Sequence, residues 1–98
     1  MIDKAWIEMS AEEQAAYFRE VVEKFPIGCR VRVLESDVDE YEGATGVVED
    51  HDEGDSDALP LVCVKFDEPV MADPLEHGRK KVKGDAFYDD EIERIEDL

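Results

Sequence analysis

The fold is decided by one stretch, Phe25–Val48, which reads FPIGCRVRVLESDVDEYEGATGVV. A Pro-x-Gly turn at Pro26 leads into the alternating run Cys29–Leu34, whose valines and arginines fall on opposite faces, as in a half-buried strand. The glycines of Gly43–Gly46 then supply the backbone freedom for a reversal into a second strand at Val47. The stretch therefore predicts a hairpin with an acidic connection.

The residues before this hairpin predict an amphipathic helix. Ser10 and Glu13 form a capping-box pattern, in which each side chain accepts a hydrogen bond from the backbone NH of the other residue. Pro26 and Gly28 end the helix. Large apolar residues recur between these signals with the spacing of one buried stripe, at Tyr17, Phe18, Val21, Val22 and Phe25. We expect this stripe to pack on the sheet.

Three further strands are predicted after the hairpin. Leu59–Phe66 is apolar on both faces, which suits a central strand or one covered by the helix. Arg79–Val82 and Glu91–Ile95 give two shorter strands. The intervening segments are predicted as turns or loops because they are rich in acids, Gly or Pro, at Glu35–Glu42, Glu49–Asp57, Asp67–Gly78 and Gly84–Tyr88.

Length and composition limit the number of domains and the kinds of partner that this chain can have. With 98 residues we expect a single domain, residues 1–98, made of an N-terminal helix in residues 1–25 and a β-rich part in residues 26–98. The net charge of −17 far exceeds the magnitude of about 8 that keeps a small domain soluble. It argues against direct binding of nucleic acid or of an anionic membrane, and favours a partner with a basic surface.

Cysteine usage and the lack of apolar runs predict the compartment. Cys29 and Cys63 stand alone in strand-like runs, so we expect two buried, reduced thiols rather than a disulfide. The first residues lack the basic and apolar regions of a secretory signal, and no run approaches the roughly 18 apolar residues of a membrane span. A cytoplasmic location is therefore expected.

Four segments together resemble SH3-like barrels, and among these the KOW-like and nitrile-hydratase-β-like domains. They are Pro26-x-Gly28-x-Arg30-Val31-Arg32-Val33, Gly43-x-x-Gly46-Val47-Val48, Val62-x-Val64-x-Phe66-Asp67 and Phe87-Tyr88-Asp89-Asp90-Glu91-Ile92. The resemblance covers residues 26–96. It implies a mostly β fold with an N-terminal α-helix, the strands forming a small SH3-like β-barrel of about five strands.

This resemblance implies a scaffold rather than an activity, because such barrels serve as ribosomal, transcriptional, adaptor and accessory modules alike. The KOW-like barrels that bind RNA are basic, whereas this chain is acidic in the segments that correspond to their binding loops. The resemblance to the nitrile-hydratase accessory barrel implies no catalytic residue here, since it implies that the nitrile-hydrating chemistry lies mainly on another subunit.

Few residues have the spacing of a metal or catalytic site. Asp50–Asp57 places acids at alternate positions like a calcium loop, but Gly54 stands at the fifth position, where an EF-hand needs a ligand. His51 and His77 have no His or Cys at metal-ligand spacing. Cys29 with a distant histidine is the enzymatic alternative, although a thiol that alternates with valines is more often core. We expect no cofactor, no metal and no enzymatic activity.

The acids themselves are distributed unevenly. The span from Glu35 to Asp57 contains eleven Asp and Glu and no Lys or Arg, whereas Arg79–Lys83 forms a basic strip that either neutralises neighbouring acids or marks a second contact face. Carboxylates on a rigid scaffold can reproduce the charge of a nucleic-acid backbone and so occupy a Lys/Arg groove on a protein. The candidate partner-binding residues are Asp37, Asp39, Glu40, Glu42, Asp50, Asp52, Asp55 and Asp57.

The leading expectation is thus a non-enzymatic, acidic protein-binding module. Its specific form is a nucleic-acid-mimicking inhibitor of a basic nucleic-acid-binding protein, of the kind that phages use against host defences, which makes phage origin part of the hypothesis. The alternative is a structural accessory or adaptor subunit that docks through apolar contacts around Trp6, Tyr17 and Tyr41. The plainest alternative is that the acids only solvate the loops of a very soluble protein.

Overall fold

The computed structural model describes residues 6–54, 58–73 and 75–95. A 3-10 turn at Trp6–Glu8 precedes helix α1, Ala11–Lys24. Another 3-10 turn, Asp39–Tyr41, lies between the first two of five strands, which are β1 Arg30–Val33, β2 Thr45–Asp52, β3 Leu61–Ala72, β4 Lys80–Phe87 and β5 Ile92–Ile95. The expected class, mostly β with one N-terminal helix, is confirmed.

The strands form one antiparallel sheet in the order β4-β3-β2-β1-β5. Consecutive strands pair from β1 to β4, and β5 returns to pair with β1, for example through Val33 opposite Ile92. Within the described residues β4 and β5 are not hydrogen-bonded to each other, so the sheet is open. Its two edges are β4 and β5.

Helix α1 begins as its sequence predicts, and its apolar stripe is buried in part, since Tyr17, Phe18 and Val22 are only half-buried. The Glu13 NH donates to the Ser10 hydroxyl at 3.1 Å and the Ser10 NH donates to the Glu13 carboxylate at 3.2 Å, which completes the capping box. Val21 and Phe25 are buried against the sheet. The Tyr17 hydroxyl donates to both oxygens of the Asp89 carboxylate, at 2.8 and 2.9 Å, which ties the helix to the turn before β5.

The core is formed mainly by the inner face of the sheet and the 3-10 turn between β1 and β2, and Val21 and Phe25 contribute to it from the helix end of the chain. Its aromatic centre consists of Tyr41, Phe66 and Phe87, whose ring centroids are 5.1 to 6.1 Å apart. Aliphatic side chains complete it, and they alternate with exposed residues along each strand as the period of two requires, at Val31, Val33, Val48, Val62, Val64, Ala72 and Ile92.

Three strands are longer than the sequence predicts. Strand β2 continues through the acids to Asp52, where a turn was expected, and β3 continues to Ala72 through the expected loop. Strand β4 passes through Gly84, which was assigned to a turn. Gly84 instead permits close packing, because a methyl group there would overlap the carbonyl oxygen of Val64. Pairing with neighbouring strands satisfies the backbone and so overrides the turn propensity of these residues.

Two of the three aromatic residues named in the adaptor alternative are buried in the domain. Trp6 is 9% exposed and Tyr41 is 1% exposed, and Tyr17 lies edge-on to Trp6 at 5.6 Å. Trp6 and Tyr41 therefore pack inside the domain, so a docking surface of an adaptor would have to use other apolar side chains. No helix in the described part of the chain has the length and hydropathy needed to cross a membrane.

Candidate functional site

The acidic connection between β1 and β2 is a structured segment. The NH groups of Tyr41 and Glu42 donate to the carbonyls of Val38 and Asp39, at 3.0 and 3.1 Å, and form the 3-10 turn. The Tyr41 ring is buried between Phe66 and Phe87, as described above. Since neighbours of a buried residue in a tight turn point away from the core, this anchor directs Glu40 and Glu42, both exposed, outward from a fixed backbone.

Opposite this turn, β3 bends. Four residues of β3, Phe66–Pro69, face one residue of β4, Lys83, because the register shifts between Lys65 and Val70. Such a bulge leaves extra residues unpaired with the neighbouring strand and increases the local bend. Its effect is to present Asp67 and Glu68 towards the β1–β2 connection.

These two segments enclose the site that we call the acidic groove. It has a volume of about 660 Å³. Its floor and walls include Gly43, Ala44, Thr45, Pro69 and Val70, and its charged residues are all carboxylates, Glu40, Glu42, Asp67 and Glu68. A groove with this lining attracts cations and repels anions.

One of the four carboxylates is oriented by hydrogen bonds. Asp67 accepts two from the Arg30 guanidinium, at 3.2 and 2.6 Å, and one from the Thr45 hydroxyl at 2.7 Å. The bonds from Arg30 and then from Thr45 hold the pKa of Asp67 below its usual value. Within the described residues Glu40, Glu42 and Glu68 form no ion pair, so the groove keeps most of its negative charge.

The candidate residues from the sequence separate into two groups. Glu40 and Glu42 line the groove, and Asp37 and Asp39 lie in the same connection. Asp50 and Asp52 lie on β2, near its far end. Asp50 and Asp52 are five and seven steps from Thr45, which places them roughly 17 and 23 Å from it along β2. Asp55 and Asp57 lie outside the described residues.

The outer face of the sheet between these groups is not anionic. The register places Arg30 opposite Val47, and Val47 opposite Lys65, so these three side chains share one face. Beside them Arg32 pairs with Glu93 at 3.0 Å. The positive charges therefore interrupt the acids, and the acidic groove is a local site rather than one end of a continuous anionic track.

A third acidic segment joins the groove end of the sheet. The NH groups of Leu34 and Glu35 donate to the Glu91 carbonyl, at 2.7 and 3.2 Å. The turn that contains Asp90 and Glu91 is thereby held against the start of the β1–β2 connection. Asp90 and Glu91 belong to an acidic run that is evident in the sequence, but the candidate residues did not include them, nor Asp67 and Glu68; only pairing between distant segments brings these residues to the same end of the sheet.

The two thiols and the buried tyrosine have altered acidity. Cys29 and Cys63 are free and half-buried, and burial raises the pKa of both; Asp50 adds to the effect at Cys63. Within the described residues the Tyr41 hydroxyl is buried and makes no well-formed hydrogen bond, although the Asp85 carboxylate lies near it. Burial, and secondly the charge of the nearby Asp85, raises the pKa of Tyr41 to about 12. These are properties of packed groups rather than of reactive ones.

Among the described residues, no group of three or more His, Cys, Asp or Glu side chains is arranged to hold a metal ion. Comparison with protein-family models, curated proteins and solved structures finds no match for the chain.

Proposed function

We propose that the chain is a non-enzymatic, acidic protein-binding module whose acidic groove receives a lysine- or arginine-rich surface of a partner protein. The observation that carries this proposal is the set of uncompensated carboxylates, Glu40, Glu42 and Glu68, on a backbone that is anchored by Tyr41 and by the β-ladder. Carboxylates on a fixed backbone lose little conformational entropy on binding, so they bind cations more tightly than acids on a floppy tail.

The scaffold in this proposal is an SH3-like barrel. The supporting observations are the strand order, with β5 beside β1, and the four-residue turn Tyr88–Glu91 that joins β4 to β5. We assign the module to the cytoplasm, since its two cysteines are free and free thiols are characteristic of reducing compartments.

The specific form of the proposal is a nucleic-acid mimic. Duplex DNA carries a charge every 1.7 Å or so, and a protein that binds it releases counterions, which makes the affinity strongly salt-dependent. The groove and the adjoining turn at Asp90 and Glu91 offer a compact set of carboxylates that can replace a short run of phosphates. A target of this kind is a basic duplex-binding protein, including the defence proteins that phage inhibitors block.

Binding of a cationic probe tests the groove directly. We would titrate a fluorescent nona-arginine peptide with the wild type, with Glu40→Gln/Glu42→Gln and with Asp50→Asn/Asp52→Asn, a control that removes the same charge at the far end of β2. The groove variant should lose about two- to thirtyfold in affinity, since it weakens two contacts of about 0.2–1 kcal/mol each. The control should lose much less. Equal losses would show that net charge alone attracts the peptide.

Competition tests the mimicry. A panel of purified duplex-binding proteins would be loaded with a labelled DNA duplex, and the chain would be added at increasing concentration and salt. We expect displacement of the duplex from at least one target, weakening steeply with salt, and no binding of free duplex by the chain. Displacement that survives Glu40→Gln/Glu42→Gln unchanged would rule out the groove as the competing surface.

The adaptor alternative requires a different surface from the one expected. Large apolar side chains with substantial exposure lie on several elements, at Ile7, Ile27, Leu34, Leu59, Met71, Leu75 and Tyr88. An adaptor of this type would bind its partner with little dependence on salt. Loss of the complex on mutating these residues, with Glu40→Gln/Glu42→Gln neutral, would favour it.

A further inference from the structure

The paired ends of β3 and β4 carry a cluster of positive charge in a chain that is otherwise acidic. We call this cluster, Met71, Arg79, Lys80, Lys81 and Lys83, the basic ribbon. Met71 is 46% exposed and lies opposite Lys81. The Arg79 guanidinium donates to the Met71 carbonyl at 3.1 Å, and in the described residues none of the three lysines forms an ion pair. The ribbon thus combines unpaired cations with an exposed apolar side chain.

The basic ribbon adjoins the acidic groove. Pro69 and Val70 of β3 line the groove, and the next residue of β3, Met71, pairs with Lys81 of the basic ribbon. Neighbouring strands lie about 4.8 Å apart. The two surfaces of opposite charge therefore share one wall, formed by Pro69 and Val70.

We propose that two copies of the chain associate through this bipolar surface, with the basic ribbon of each copy seated in the acidic groove of the other. When a positive and a negative patch lie side by side, a second copy rotated by 180° about an axis at their boundary places its negative patch on the positive patch of the first, and its positive patch on the negative one. The rotation places Lys81 and Lys83 of each copy against Glu40 and Glu42 of the other. Because Met71 and Pro69 lie near the boundary, the same contact covers apolar surface.

The total charge gives this association an unusual salt dependence. Two copies with a net charge of −17 each repel each other over long distances. Moderate salt weakens this long-range repulsion before it weakens close contacts, because the Debye length falls from about 30 Å at 0.01 M salt to about 10 Å at 0.1 M. Contact pairs between ribbon and groove are screened less at these concentrations. Association should rise from low to moderate salt and fall again near about 1 M.

The proposal goes beyond binding of a basic partner and does not depend on it. Self-association covers the groove, so it competes with any cationic ligand. A variant with an altered ribbon keeps its acidic groove. It can therefore lose self-association while it still binds a cationic ligand, so the two proposals can fail independently.

Charge exchange between the two surfaces tests the proposal by sedimentation velocity. The samples are the wild type, Glu40→Lys/Glu42→Lys, Lys81→Glu/Lys83→Glu, an equimolar mixture of the two variants, and Asp50→Lys/Asp52→Lys as the control. The first variant and the control alter net charge equally, so only the position of the charge differs. All six positions are exposed, and circular dichroism verifies that each variant is folded.

We expect a wild-type dimer whose population rises with protein concentration and is largest at intermediate salt. Each groove or ribbon variant alone should dimerise at least about tenfold more weakly, since contacts of up to about 1 kcal/mol each are reversed in sign. The mixture should recover dimers, and the control should retain them. The Lys81→Glu/Lys83→Glu variant should still bind nona-arginine.

Three results would overturn the inference. The first is a wild type that stays monomeric at every salt concentration, and the second is a mixture that fails to recover dimers. The third is open-ended growth into larger oligomers, which would mean that the contact does not close around a two-fold axis.

Discussion

Replacing Tyr41 by Phe should stabilise the domain. The Tyr41 side chain is 1% exposed, and among the described residues its buried hydroxyl has no hydrogen-bond partner. A buried, unsatisfied polar group costs about 1–3 kcal/mol. Phe keeps the ring and its contacts with Phe66 and Phe87, so the substitution removes the cost without opening a cavity.

The expected gain in unfolding free energy is about 1–2 kcal/mol, which corresponds to a rise in Tm of several degrees, because 1 kcal/mol shifts Tm by about 4–8 °C in a domain of this size. Urea and thermal unfolding followed by circular dichroism measure it. Tyr41→Ala is the matched contrast: it should cost about 3–5 kcal/mol through loss of ring packing. Nona-arginine binding should survive the first substitution, which leaves Glu40 and Glu42 in place.

A loss of stability in Tyr41→Phe would refute this reasoning. It would mean that the hydroxyl donates to the nearby Asp85 carboxylate in solution, which a second substitution, Asp85→Asn, would reveal through non-additive unfolding energies. The pH dependence gives an independent check. Because the folded pKa of Tyr41 is raised to about 12, its protonated form contributes stability below the unfolded pKa near 10, and this contribution is lost as pH rises from about 10 to 12. Tyr41→Phe should lose less stability over that range.

Three further predictions follow from single contacts. Tyr17→Phe removes the hydrogen bond to Asp89 and should cost about 1 kcal/mol in urea unfolding, since the site is only half-buried; the cost should shrink above about pH 10, where the unfolded tyrosine ionises. Cys63 should react with iodoacetamide more slowly at pH 8 than the same thiol in urea-unfolded protein, because burial and neighbouring acids raise its pKa; equal rates would contradict this. Gly84→Ala should destabilise the domain by about 2–3 kcal/mol, measured by thermal unfolding, because the added methyl overlaps the β3 backbone.

The elements set by short-range pattern could be predicted from the sequence. The helix follows from the capping box at Ser10 and Glu13 and from one apolar stripe, and β1 follows from the alternation of valines and arginines in Arg30–Val33. Strand β3 was predicted from the run Leu59–Phe66, which is apolar on both faces, and it spans Leu61–Ala72. In each case the signal lies within a few residues of the structure that it specifies.

The candidate site depended on contacts that no local pattern contains. The acidity of Glu35–Glu42 was evident, but the groove needs Asp67 and Glu68, which reach it only because the register of β3 shifts against β4. Tyr41, which the adaptor alternative placed at a contact surface, is buried and anchors the turn. The length of β2 likewise carried Asp50 and Asp52 away from the other candidates.

The sequence by itself therefore determined the helix, the alternating strands and a large excess of negative charge. Only the tertiary structure decided which carboxylates meet, which aromatic residues are buried and where strands end. The physical reason is that charge and periodicity are properties of neighbouring residues, whereas strand length, bulges and burial depend on backbone hydrogen bonds and packing between segments far apart in the chain.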